Sequence, residues 1–207
     1  MSRIDETRRR ERRRFLRAFG VCTVAAAGAT VALPRLFATG IGSSADLPSL
    51  IHTTRGDVLL EIYAADGRDL GPRRVPKLVL TDEQWHQRMS SAAFDVMRRN
   101  GTELAFSGPH ERPAQPGIFR CAGCDTALYD AATEFDSGTG WPSFWQPINQ
   151  RNVVRSSDDQ FGMWRIAISC GGCDSHLGHV FSDGPQPTGL RYCMNSVALR
   201  FVAHATG

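Results

Sequence analysis

Cys121-Ala-Gly-Cys124 and Cys170-Gly-Gly-Cys173 are two C-x-x-C knuckles, each opening where a short apolar run ends. Two residues between thiolates, with glycine allowing the tight turn, put both sulfurs on one side of a metal ion. Two such knuckles complete the tetrahedral four-thiolate set that suits zinc. One structural zinc ion held by Cys121, Cys124, Cys170 and Cys173 would act as a staple, contributing roughly 10–16 kcal/mol of apparent binding free energy. Two disulfides, or a redox-active C-x-x-C, are competing uses of the same thiols. A pair of knuckles at strand ends favours zinc over either.

Of the six cysteines, Cys22 lies near the N-terminus and four sit in the knuckles, which leaves Cys193. A lone cysteine is often an inert buried residue. Here Arg191 and Asn195 flank it at period two, on the same side if the segment is a strand. A guanidinium there favours thiolate over thiol and so lowers a pKa of about 8.5. The Asn195 amide can donate to developing negative charge. Downstream of the second knuckle, His176 and His179 are three apart. With four thiolates filling a tetrahedron their imidazoles stay free to hydrogen-bond or to deliver a proton near neutral pH; the plainer reading is two turn histidines. Trp141, approached through Ser137-Gly-Thr-Gly140, suits an aromatic wall for a small apolar group, or the core.

Elements that must position these groups are mostly short. Asp57–Tyr63 reads as a strand, Asp66-Gly67 as a turn, and 74–80 as an edge strand because Pro76 is poorly tolerated centrally. Thr81-Asp-Glu-Gln84 is a capping box that opens a short helix through Trp85, and Ser90 caps a second helix stopped by Asn100-Gly101. Beyond Gly101 the helical period is lost. The apolar runs 117–120, 163–168 and 197–201 alternate with Gly/Pro/Asp clusters, which predicts short antiparallel strands in a mainly β domain behind two small helices.

The 207 residues carry 24 Lys+Arg against 21 Asp+Glu, a formal +3 that invites a nucleic-acid or membrane-surface reading. The charge is not spread evenly. Eight arginines fall within the first 17 residues, an uncharged stretch rich in Ala, Gly, Val and Thr runs from Ala18 to Pro34, and Ser43-Ser-Ala45 offers small residues for cleavage. That order is an export signal over residues 1–45. Its Arg12-Arg-Arg-Phe-Leu-Arg17 resembles the twin-arginine pattern, which implies the twin-arginine export machinery as a partner and a periplasmic or other extracytoplasmic location. The other readings are an uncleaved membrane anchor, at the short limit for about 30 Å of hydrocarbon, and a soluble basic tail. Without the segment's nine arginines and three acids, 15 basic residues face 18 acidic ones, about −3, and the case for nucleic-acid binding lapses. An extension, 46–80, and one compact domain, 81–207, remain.

The segments Gly101-Thr-Glu103, Phe106-Ser-Gly108, the two knuckles, Ser137–Phe144, His176–Phe181 and Asp183–Ser196 together resemble the methionine-R-sulfoxide reductases of the B type, in order from about Leu80 to Phe201. The resemblance implies antiparallel sheets of β-tent type, with zinc away from the active site. It implies Cys193 as nucleophile, with Arg191 stabilising its thiolate. Trp141 and Phe181 would hold the sulfoxide's methyl group, and His176, His179 and Asn195 would bind and polarise its oxygen. Substrates would be oxidised proteins or peptides, and a thioredoxin-like or other thiol reductant would regenerate the enzyme.

Many relatives carry a resolving cysteine where Thr139 stands, so this chain is expected to run a one-cysteine cycle through a Cys193 sulfenic acid. A second departure is His110, where an aromatic residue is common. A zinc-ribbon or β-tent module that only binds partners would need the knuckles alone, and would leave Cys193, Arg191 and the two histidines without a purpose.

Overall fold

The computed structural model describes residues 56–108, 113–159, 162 and 164–205. The expected export segment 1–45, the start of the extension (46–55), His110 and Met163 lie outside the described residues. Among the described residues no helix is long and apolar enough to cross a membrane.

The chain is mainly β, and its sheets are antiparallel. A hairpin comes first, β1 (Asp57–Tyr63) against β2 (Asp69–Pro76). The expected strand at 74–80 is shifted: Tyr63 already pairs with Asp69, because the Asp66-Gly67 turn closes on Ala64 and Arg68 and returns the chain at once. Both prolines of β2 are tolerated because only one of its edges is paired. Thr81 caps α1 (Asp82–His86) through a complete capping box, and Ser90 caps α2 (Ser91–Arg99). Asn100, left-handed at φ 56°, ends α2, as the Asn-Gly pair predicts.

Two further sheets hold the domain. A three-stranded sheet runs β11–β3–β4, from β3 (Gly117–Cys121), β4 (Ala127–Asp130) and β11 (Leu199–Ala203). A six-stranded sheet runs β5–β6–β10–β9–β8–β7, from β5 (Glu134–Phe135), β6 (Ser143–Phe144), β7 (Val153–Asp158), β8 (Arg165–Cys170), β9 (His176–Phe181) and β10 (Arg191–Met194). Residues 196–198, expected in the last strand, form a 3-10 turn instead.

Strand alternation decides what the large sheet does. On β10, Tyr192 and Met194 are fully buried, while Arg191 and Cys193 point to the other face. The inner face meets Phe144, Ile168 and Val180. Behind it the Tyr129 ring stacks on Phe144 at 4.3 Å and its hydroxyl reaches the Met194 sulfur at 3.1 Å. Phe119 closes on Phe144 edge-on, joining the two sheets. The outer face is where polar and reactive side chains collect.

Candidate active site

Register brings the outer face together. Cys193 on β10 pairs with Ser143 on one side and His179 on the other, so the three side chains form one row across adjacent strands. One pleat along, Arg191 pairs with Phe181, in line with Arg165 and Asp158 at the end of β8 and β7. Residues scattered over fifty positions of sequence thus lie side by side. The histidines read as turn residues or as functional groups stand on a strand, β9, and their rings meet edge-on at 5.2 Å.

Cys193 is half-buried. Burial pushes its thiol up from the ordinary value, and this outweighs the opposing effects of the Arg191 charge and of hydrogen bonds from Thr139, Ser143 and Arg191. The expected influence of Arg191 is present in direction, but the net shift is upward, which corrects the expectation of a lowered thiol. Ser137 bridges Thr139 and Ser143 at 2.8 Å each, so three hydroxyls form a small cluster beside the sulfur.

Arg191 is fixed rather than free. Asp183 takes its guanidinium in a bidentate pair at 2.9 and 2.8 Å, and the group lies over the Phe181 ring at 4.5 Å. His179 Nε2 meets Asp158 Oδ2 at 2.7 Å, and Arg165 binds the same oxygen at 2.7 Å. Burial lowers the His179 pKa despite that carboxylate. Burial and the neighbouring His179 lower His176 to about 4, and its Nε2 is buried with no hydrogen-bond partner. Both imidazoles are therefore held neutral near pH 7.

Asn195 follows β10, and its amide is locked from both ends: Oδ1 accepts from Glu103 N–H at 2.9 Å and Nδ2 donates to the Leu177 carbonyl at 3.0 Å. One Nδ2 hydrogen is left for a ligand. The Trp141 indole donates to the Glu103 carbonyl at 3.2 Å. The Glu103 carboxylate accepts from Ser196 N–H, Ser196 Oγ and Val197 N–H at 2.7, 2.8 and 3.1 Å. Glu103 thus ties the loop bearing Trp141 to the turn bearing Asn195. Sequence reasoning placed Glu103 and Asp183 in motifs without giving either a task, and missed Asp158. Asp183 carried a signal, an acid eight residues before Arg191; Asp158 carried none, since β7 is an exposed edge strand without apolar alternation.

Cys121, Cys124, Cys170 and Cys173 come together elsewhere, with all four sulfurs within 4.8 Å of one another. Two of the gaps, Cys121 to Cys173 at 3.7 Å and Cys124 to Cys170 at 3.5 Å, are far beyond a disulfide bond and near the ~3.8 Å edge of a tetrahedron with 2.3 Å metal–sulfur bonds. Four thiols at this spacing fit a metal ion. The first knuckle packs through Gly123 on Trp85 and Met97 of the helices, and Arg98 caps the second by donating to the Cys173 carbonyl at 3.0 Å.

Residues 89–203 match the SelR domain. A peptide methionine sulfoxide reductase MsrB of Pseudomonas aeruginosa is 48% identical over 120 residues, 58% of this chain and 91% of that protein. The MsrB of Pseudomonas syringae pv. syringae is 48% identical over 126 residues, 61% and 96% of the two chains. The chloroplastic peptide methionine sulfoxide reductase B1 of Oryza sativa subsp. japonica is 47% identical over 121 residues, 58% and 56%. With more than half of its residues inside the domain match, and both pseudomonad proteins covered almost end to end, the chain belongs to the SelR-domain family.

Proposed function

We propose that the chain is a peptide-methionine (R)-S-oxide reductase that uses Cys193 as its nucleophile. The observation that supports this best is the row of Ser143, Cys193 and His179 on one face of the sheet, with Arg191 and Phe181 one pleat along.

In the substrate-free protein the thiol and the His179 imidazole both sit neutral. The reaction matches that state. Cys193 passes its proton to His179 as its sulfur attacks the sulfoxide sulfur; the imidazolium, stabilised by Asp158, returns the proton to the sulfoxide oxygen, and the hydroxyl then moves to the Cys193 sulfur as the sulfoxide S–O bond and the transient S–S bond break. A sulfenic acid forms on Cys193, oxidised by two electrons, and the sulfoxide is reduced by two to the thioether. Asn195 donates its remaining hydrogen to the oxygen, the Trp141 and Phe181 rings hold the methyl group, and the Arg191 charge favours the sulfur's developing anion. Recognition of methyl, oxygen and main chain at three points selects one epimer.

With Thr139 beside the nucleophile rather than a second thiol, the sulfenic acid is reduced by an external thioredoxin-like or other thiol donor: two thiols become a disulfide and water is released. The four knuckle cysteines hold one structural zinc ion. The arginine-rich N-terminus directs the chain through twin-arginine export to an extracytoplasmic location where protein-bound methionine is exposed to oxidants.

Turnover of a peptide carrying R- or S-methionine sulfoxide, with dithiothreitol as donor, tests the assignment. Reduction of the R epimer alone, lost in Cys193→Ser, is expected. Reduction of the S epimer alone, or activity that survives the substitution, overturns it.

A further inference from the structure

The hairpin β1–β2 and the segment 77–80 that follows it lie outside the SelR match, yet they are bound to the residues that carry the four cysteines. Leu60, 4% exposed, sets its methyl groups on the Gly171-Gly172 turn between Cys170 and Cys173; a Cβ on those glycines would lie 3.1 and 3.4 Å from it. Leu78 N–H donates to the Gly172 carbonyl at 2.9 Å, and Lys77 pairs with Asp174 at 2.7 Å, one residue past the last thiol. Asn152, fully buried, exchanges hydrogen bonds of 2.8 Å with both backbone groups of Glu61, and its own carbonyl accepts from Gly171 N–H. Arg120, next to Cys121, donates to the Tyr63 carbonyl at 3.0 Å.

Cys121, Cys170 and Cys173 have at most 1% exposure and Cys124 is half-buried; Cys121 and Cys124 line a cavity of about 550 Å³ that the hairpin also lines. Arg88, Arg120 and Arg200 line the same cavity. Glu61 and Asp125 line it too, Asp125 paired with Arg200, so the barrier to release lies in the Gly-Gly turn, which Leu60 and Leu78 pin.

We infer that the β1–β2 hairpin is a clamp on the metal centre that sets how fast zinc leaves, with Leu60, Lys77 and Leu78 as its positioning residues. This rests on the zinc reading of the four cysteines. A flexible diglycine between two ligands is the natural point of opening, and the hairpin removes that freedom.

The test uses the full-length zinc-loaded chain and follows zinc transfer to the chromogenic chelator 4-(2-pyridylazo)resorcinol. Leu60→Ala is expected to speed release at least tenfold and Lys77→Ala about threefold, with one zinc per chain bound at the start. Leu70→Ala, on the hairpin's exposed edge, should release at the parent rate. So should Val180→Ala, a core truncation remote from the knuckles, which separates clamping from general loss of stability. Release unchanged in both Leu60→Ala and Lys77→Ala with zinc still bound one to one overturns the clamp, as does equal acceleration by Val180→Ala at a matched loss of melting temperature. Should Leu60→Ala fail to fold, Lys77→Ala decides. A chain that takes up no zinc overturns the zinc reading itself, a result visible before any release is measured.

Discussion

The surroundings of Cys193 pull in two directions, and the balance is measurable. Burial raises the Cys193 pKa, while Arg191, Thr139 and Ser143 oppose it. Alkylation of Cys193 by iodoacetamide in the substrate-free protein should therefore rise with pH through a midpoint above the ordinary thiol's ~8.5. Removing a group that favours the thiolate raises the pKa further, so Arg191→Ala shifts the midpoint upward again; an unchanged or lower midpoint would contradict the geometry. Glu103 offers a second test. Gln at this position gives up a carboxylate that accepts three hydrogen bonds, each charge-assisted bond being worth about 1.5–3 kcal/mol. Its loss loosens both Asn195 and Trp141. Peptide kcat/KM should fall about 10–100-fold in Glu103→Gln, with a lower melting temperature, while Cys193 keeps its alkylation midpoint. Cys193, Arg191 and Asn195 could be read from sequence because a strand puts alternate residues on one face. Glu103 and Asp158 could not be given a task, because their partners lie 7 to 94 residues away and only register brings them near, while Asp183, eight residues before Arg191, carried a signal that went unused.

At the scale of elements, the register of β9 against β10 carries the site. Gly178 makes that close approach possible: at φ 156° it pairs with Met194, and a Cβ there would collide with the Cys193 carbonyl oxygen and the Met194 backbone. Gly178→Ala should cost on the order of 3 kcal/mol or more, seen as a lower urea midpoint, and should depress activity even below the melting transition because it separates Cys193 from His179. An unaltered midpoint would mean that the strands tolerate the shift. Both helix starts were legible to the residue, and the stop of α2 at Asn100, since N-cap side chains and an Asn-Gly stop are local signals. The strands β4, β7 and β9 were not recognised. The first is four residues long, the second is exposed along one face, and the third contains Gly178 and two histidines where an apolar pattern would be expected.

For the whole molecule, the four-cysteine cluster and the row of Ser143, Cys193 and His179 are separate groups, the first proposed for stability and the second for chemistry. The knuckles join β3 to β8 and therefore the small sheet to the large one. Removing zinc with a strong chelator under mild denaturant should lower the melting temperature by more than ten degrees and broaden the transition, and re-addition of zinc should restore it; a melting curve indifferent to chelation would exclude a structural metal. One last consequence follows from the pleat of β10. The strand that turns the Cys193 thiol outward turns the next side chain, Met194, fully inward, where Tyr129 holds its sulfur, and Met97 is equally hidden in α2. In the proposed cycle, oxidant reaching the outer face meets a thiol that a donor restores, and misses these two thioethers. A catalyst that mends oxidised methionine in other proteins keeps its own, at the places that hold its core together, out of reach of the damage it repairs.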